Sequence, residues 1–128
     1  MPNRSPCVLI VEDDEDDRRM LRDVLASEGL KVREASDGVE AAEVLVGPDP
    51  MQLVLLDVRM PRMDGPQFLE WLRGRRELDR VPVVVLTADR DPVLSDRAIA
   101  VVRKPFDVPG LLDIVHAICR PSLRAAAV

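Results

Sequence analysis

Five short apolar runs along the 128-residue chain predict the strands of a sheet. They span residues 7–11, 31–35, 53–56, 81–86 and 99–102. Most consist of consecutive aliphatic residues without strict alternation, which is typical of strands buried on both faces of a parallel sheet. The second run alternates between apolar and charged residues and predicts a more exposed strand.

The segments between these runs have the apolar spacing of helices. Apolar residues recur three and four positions apart, as on one face of a helix. The stripes lie within residues 20–25, 39–45, 68–72 and 111–119. Gly29, Gly47 and Pro121 stand where the first, second and last stripes end, and Pro66 stands where the third begins.

The alternation of strands and helices predicts the fold class. Each strand–helix–strand unit favours a right-handed crossover, and together the units form a parallel sheet covered by helices on both faces. We therefore expect an α/β fold, a doubly wound five-stranded parallel sheet, with four or five helices joined by short loops. The domain is expected to span residues 7–120, with tails at 1–6 and 121–128.

Composition narrows the classes of function. Hydrophobic residues make up 47% of the chain and aromatic residues only 2%, so the core must be aliphatic and base-stacking platforms are scarce. A net charge of −5 disfavours binding to nucleic acid, and no apolar run approaches the roughly 18 residues of a membrane span. Without a signal peptide, we expect a cytoplasmic protein whose two cysteines, Cys7 and Cys119, are free thiols.

Residues capable of chemistry follow four of the five runs. Ligands of parallel α/β sheets bind beyond the carboxyl ends of the strands, so we expect these residues to meet at one edge. They are Glu12 and Asp13 after the first run, Asp57 after the third, Thr87 after the fourth and Lys104 after the fifth. Each alone could be a turn residue, a cap or a surface charge, but the coincidence of all of them favours a site.

The set suits transfer of a phosphoryl group to an aspartate. Converging carboxylates disfavour one another's ionisation, and Mg²⁺, which binds a few carboxylates and several waters, relieves that conflict. A carboxylate beside the ion can attack a phosphoryl group, while a hydroxyl and an ammonium hold its other oxygens. Lys104 is one of only two lysines against sixteen arginines, which indicates a need for a compact ammonium. The acids at 14–17 are better explained as the first turn of a helix.

The chain resembles the receiver domain of bacterial two-component response regulators. The matching stretches are VLIVEDD, ASDGVEAAEVL, LVLLDVRMPRMDG, VVVLTA and VRKPF, in this order. The resemblance covers roughly residues 7–120. It implies a flavodoxin-like (βα)5 fold and a signalling module rather than an enzyme, one that catalyses only its own phosphotransfer and slow autodephosphorylation.

The resemblance also implies roles for the candidate residues. Asp57 would be the phosphoacceptor, taking its phosphoryl group from a phosphohistidine on a sensor histidine kinase or phosphotransfer protein. Metal ligands would be Glu12, Asp13, Asp57 and the backbone carbonyl of Arg59. Thr87 and Lys104 would bind the phosphoryl group, and the Lys104–Pro105 bond would be cis. A downstream protein, not named by the sequence, would be the output partner, and the unphosphorylated chain would be a monomer.

The chain departs from the family pattern at two places, both between Thr87 and Lys104. The position three before Lys104, often aromatic in the family, is Val101. Only sixteen residues separate Thr87 from Lys104, about one helical turn fewer than the family has. We therefore expect the fourth helix of the family, which lies between the fourth and fifth strands and here within residues 91–97, to be shortened or irregular.

Two alternatives remain open on the sequence. One is a degenerate receiver acting as a constitutive protein-interaction domain, which the two departures favour and the intact candidate residues disfavour. The other is a phosphatase of the haloacid-dehalogenase type. That class needs a second aspartate two residues after the nucleophile, where this chain has Arg59.

Overall fold

Five parallel strands form a single sheet in the computed structural model, which describes residues 7–58, 63–88 and 98–119. They are β1 (Cys7–Val11), β2 (Lys31–Ala35), β3 (Leu53–Asp57), β4 (Val83–Thr87) and β5 (Ala98–Arg103). The strand order is β2-β1-β3-β4-β5, so the chain winds outward in both directions from the β1–β3 pair. In doubly wound sheets, ligands bind at the carboxyl ends of the strands that flank such a switch point.

Each α-helix among the described residues begins after an aspartate. The helices are α1 (Glu15–Ser27), α2 (Gly38–Leu45), α3 (Gly65–Arg73) and α4 (Val108–Ile118), with a 3-10 turn at Arg76–Leu78. Their N-caps are Asp14, Asp37, Asp64 and Asp107, whose carboxylates accept a backbone N–H three residues on. After α1, Gly29 adopts a φ of +83°, a conformation that favours glycine and turns the chain toward β2.

Two apolar cores lie on the two faces of the sheet. The first joins the sheet to α2 and α3, and the second joins it to α1 and α4. Side chains of β1 alternate between them, with Leu9 and Val11 in the first core and Val8 and Ile10 in the second. Full burial of such a side chain contributes about 1.5–3 kcal/mol. The predicted doubly wound arrangement is therefore confirmed.

The outer strand β5 corrects one expectation. Its apolar run predicted a strand buried on both faces, but Ile99 is 56% exposed and Val101 41% exposed. Their neighbours Ala100 and Val102 pack against the core that contains α4. An edge strand with one face in the core has this alternation of burial. The sequence does not reveal this alternation because branched apolar residues occupy the exposed positions.

Some expectations fall on parts of the chain that are not described. The helix expected within 91–97, and the tails at 1–6 and 121–128, lie outside the described residues. Among the helices that are described, none has the length and apolar character needed to cross a membrane.

Both cysteines are free thiols, as predicted. Burial raises the pKa of Cys7, and burial together with the nearby Cys7 raises the pKa of Cys119 to about 11. Both thiols are therefore protonated at neutral pH. Because the thiolate is the reactive form, neither cysteine is a strong nucleophile.

The start of α2 packs tightly against the loop that precedes α3. The Gly38 N–H donates to the Met63 carbonyl at 3.1 Å. A Cβ atom on Gly38 would lie 2.8 Å from that same oxygen and 2.7 Å from Met63 Cγ. The backbone of α2 approaches this loop so closely that position 38 has no room for a side chain.

Replacing Gly38 by alanine is therefore expected to destabilise the protein. Overcrowding should outweigh the gain in chain entropy and leave a net loss of about 1–2 kcal/mol in urea unfolding. Gly74→Ala is the matched control, since its Cβ would meet its nearest atom at an ordinary 3.6 Å. That variant should be neutral or up to about 1 kcal/mol more stable. Equal stabilities for the two variants would contradict this account of the packing.

Candidate functional site

The strand register brings three carboxylates together at one edge of the sheet. Val11 of β1 pairs with Leu56 of β3, so the residues that follow them, Glu12 and Asp57, lie side by side. One oxygen each from Glu12, Asp13 and Asp57 lies within 4.8 Å of the other two. The acidic residues that the sequence placed at the ends of two strands thus form one cluster.

The three carboxylates differ in their exposure to solvent. Glu12 is 2% exposed and Asp57 is 8% exposed, whereas Asp13 is open to water. The Glu12 N–H extends the β1–β2 pairing by donating to the Ala35 carbonyl at 3.0 Å. Glu12 Oε2 accepts the Asp14 N–H at 3.3 Å. Two of the acids are therefore fixed by burial, and the third faces solvent at the mouth of the site.

Lys104 supplies the positive charge of this cluster. Its Nζ donates to Glu12 Oε1 at 2.8 Å and lies 3.6 Å from Asp57 Oδ1 and 3.9 Å from Asp17 Oδ2. Burial by itself lowers the pKa of Lys104, but the hydrogen bond to Glu12 and the charges of Asp57 and Asp17 together raise it above its usual value. The ammonium is therefore firmly protonated at neutral pH.

Thr87 stands at the carboxyl end of β4, between the acids and the lysine. Its carbonyl accepts the Lys104 N–H at 2.8 Å, which continues the β4–β5 pairing by one residue. The Thr87 side chain is buried, and the residue lies one step beyond Leu86, the partner of Asp57 in the register. The Lys104–Pro105 bond is cis, as the resemblance implies.

The structure thus brings five of the predicted residues to one edge: Glu12, Asp13, Asp57, Thr87 and Lys104. The Arg59 carbonyl, expected as a further metal ligand, lies outside the described residues.

Two residues of α1 belong to the surroundings of the site but were not singled out. Asp14, expected in the first helical turn, is the N-cap of the helix, and Asp17, expected in the same turn, also faces Lys104. Arg18 Nη1 donates to the Glu12 carbonyl at 2.8 Å. Nothing in the sequence distinguishes Arg18 from Arg19, because which of the two faces β1 depends on the exact phase of the helix.

An apolar pocket of about 360 Å³ opens beside the lysine. Its apolar lining comes from α1 and from the segments after β4 and β5, and Glu12, Asp17 and Lys104 border it. The apolar residues are Met20, Leu21, Ala88, Pro105 and Phe106. A partner that docks here would contact apolar side chains next to the charged cluster.

Residues 8–116 match the family model described as the response regulator receiver domain. The chain belongs to this family. It is 28% identical over 115 residues to the polar-differentiation response regulator DivK of Brucella ovis, an alignment that covers 86% of this chain and 93% of the relative.

Solved structures of receiver domains have the same fold. The receiver domain of a signal transduction histidine kinase from Syntrophus aciditrophicus superposes with a TM-score of 0.83 at 30% identity, covering 91% of both chains. The response regulator TrrA from Thermotoga maritima, solved in complex with Mg²⁺–BeF, has a TM-score of 0.77 at 27% identity, covering 88% of this chain and 98% of TrrA. The predicted flavodoxin-like fold is confirmed, and family membership favours a signalling module over the phosphatase alternative.

Substituting Lys104 tests its electrostatic role. Lys104→Met should lower the free energy of unfolding at pH 7 by about 1–3 kcal/mol, because Glu12 is then buried without its charged donor. The raised pKa means that the lysine contributes fully below its ordinary pKa of 10.5 and loses its effect as pH rises through the higher folded value.

The chain's other lysine provides the control for this experiment. Lys31 is exposed at the start of β2, so Lys31→Met should change stability by less than about 0.5 kcal/mol. Urea unfolding of both variants and the wild type between pH 7 and pH 11 measures the difference. A Lys104→Met variant as stable as Lys31→Met at pH 7 would contradict the role given to Lys104.

Proposed function

We propose that the chain is a phosphorylation-switched receiver that accepts a phosphoryl group on Asp57 in a Mg²⁺-dependent reaction, with residues 7–120 as the functional unit. The observation that carries the proposal is the cluster itself. Three carboxylates lie within 4.8 Å of one another, and the Lys104 ammonium is 3.6 Å from Asp57. Family membership and the complex of TrrA with Mg²⁺–BeF support it.

The donor set of the cluster fits Mg²⁺. The oxygens of Glu12, Asp13 and Asp57 are hard ligands close enough to share one ion, and the exposed side of Asp13 leaves room for bound waters. These carboxylates, with the Arg59 carbonyl, would hold the ion. When bound, it would offset the negative charge that otherwise keeps a phosphoryl group away from the acids.

The protein side chains then have distinct tasks in the transfer. A carboxylate oxygen of Asp57 attacks phosphorus as the bond to the donor's histidine nitrogen breaks, which forms an acyl phosphate. Lys104 can exchange its contact with Asp57 for a phosphoryl oxygen while it keeps its 2.8 Å hydrogen bond to Glu12. Thr87, at the end of the strand beside Asp57, supplies a hydroxyl for a further phosphoryl oxygen.

The donor is proposed to be a phosphohistidine on a helix of a sensor histidine kinase or phosphotransfer protein. A helix seated in the apolar pocket would rest on Met20, Pro105 and Phe106 and place a histidine near Lys104. Met20 is 39% exposed at the edge of this pocket, so its side chain is accessible to a docking helix. A downstream protein would then recognise the phosphorylated form.

The phosphoacceptor is tested with a small-molecule donor. In acetyl phosphate and Mg²⁺, intact-mass measurement should show one phosphoryl group on the wild type and none on Asp57→Asn, because the amide is not a nucleophile. Asp113→Asn, an exposed site on α4, is the control and should label like the wild type. Chelation of the metal with EDTA should abolish labelling. Labelled Asp57→Asn would overturn the assignment, and an unlabelled wild type would favour the degenerate-receiver alternative.

The docking pocket is tested by comparing two phosphoryl donors. Met20→Gln should slow transfer from a phosphorylated histidine phosphotransfer domain about tenfold, since a central apolar contact is worth more than 1 kcal/mol. Labelling by acetyl phosphate should be unchanged, because that donor needs no docking surface. Val46→Gln, which replaces an exposed valine after α2, should leave both rates unchanged. Equal slowing with both donors would show that Met20 acts on the site and not on docking.

A further inference from the structure

The turn between β1 and α1 is held from both sides at Glu12. On one side, the Glu12 N–H donates to the carbonyl of Ala35, the last residue of β2. On the other side, the Glu12 carbonyl accepts from Arg18 Nη1 at 2.8 Å. The peptide groups that carry Glu12 and Asp13 are therefore tied both to the neighbouring strand and to the first turns of α1.

Arg18 is itself oriented by the edge strand. Its Nε donates to Glu34 Oε1 at 3.1 Å, and Glu34 Oε2 lies 3.4 Å from Arg22 Nη1. The Arg18 side chain is 19% exposed, against 56% for the adjacent Arg19, which pairs along the helix with Glu15. A planar guanidinium can donate in two fixed directions at once, here to a carboxylate and to a carbonyl.

We infer that Arg18 is a positioning residue, which together with Glu34 fixes the direction in which Glu12 and Asp13 face Asp57. The inference rests on the proposed role of those three carboxylates. Asp13 is exposed, so packing contributes little to its placement, and the geometry of the turn must supply the rest. Removal of Arg18 would leave the Glu12 carbonyl without this donor and let the turn relax.

Electrostatics and positioning make opposite predictions for Arg18. The guanidinium is a positive charge held against the backbone of Glu12, so on charge alone its loss should strengthen cation binding. If Arg18 positions the acids, its loss should weaken binding in spite of the more negative site. The sign of the change in Mg²⁺ affinity therefore separates the two effects.

The experiment is a titration of the full chain with Mg²⁺ alone, followed by NMR through the backbone amide signals of residues 12–14. Arg18→Ala should weaken Mg²⁺ binding about tenfold, as loss of an orienting outer contact does at other metal sites. Arg18→Lys should recover part of the loss, since an ammonium keeps the charge but not the two-directional geometry. Arg19→Ala, which removes an equal charge from the same helix, should bind as tightly as the wild type or slightly more tightly.

Glu34→Gln is a second variant that keeps Arg18 itself and leaves only a weaker, neutral acceptor for it. It should weaken binding less than Arg18→Ala, and the double variant should be no worse than Arg18→Ala alone, because both act through one contact. Unchanged or tighter binding by Arg18→Ala and Glu34→Gln, beside a wild type that binds Mg²⁺, would overturn this inference alone. A wild type that binds no Mg²⁺ would overturn the proposed function and this inference with it.

Discussion

Lys104 offsets the negative charges that gather at the ends of two adjacent strands, β1 and β3, and the site is organised around this ammonium. Glu12 is almost completely buried beside Asp57, and buried charged groups cost free energy unless they are paired and hydrogen-bonded. The lysine follows the edge strand β5, and its side chain extends past the ends of β4 and β3 to form a 2.8 Å hydrogen bond with Glu12. The same contact that stabilises the fold therefore places an ammonium where a phosphoryl group would arrive.

The central part of the fold could be predicted from sequence because burial on two faces leaves a simple pattern. The run that became β3 contains only aliphatic residues up to Asp57, and the structure buries all five residues of the strand. β5 shows the limit of that reasoning. Its apolar run has the same composition, yet Ile99 and Val101 are exposed. The residues of a strand do not by themselves show whether it lies at the centre or at the edge of the sheet.

The residues of the candidate site likewise fall into those that the sequence predicts and those that only the structure shows. Glu12, Asp57, Thr87 and Lys104 could be found because the ends of parallel strands always share an edge, whatever the details of packing. Asp17 and Arg18 could not, since their approach to the site depends on the phase of α1 and on side-chain conformation. The sequence does not distinguish the two consecutive arginines. Only the structure shows that Arg18 contacts the Glu12 carbonyl while Arg19 pairs along the helix surface.

The hydrogen bond between Lys104 and Glu12 joins residues 92 positions apart, which has a consequence for how the protein is made. During synthesis the acids of β1 and β3 leave the ribosome long before the lysine does. Until residue 104 has emerged, the nascent chain carries its carboxylates without their cation, and β5 is absent from the edge of the sheet. Charge balance at this edge is thus acquired only after β5 has been made, so a nascent chain that stops short of Lys104 cannot present the assembled site to another protein.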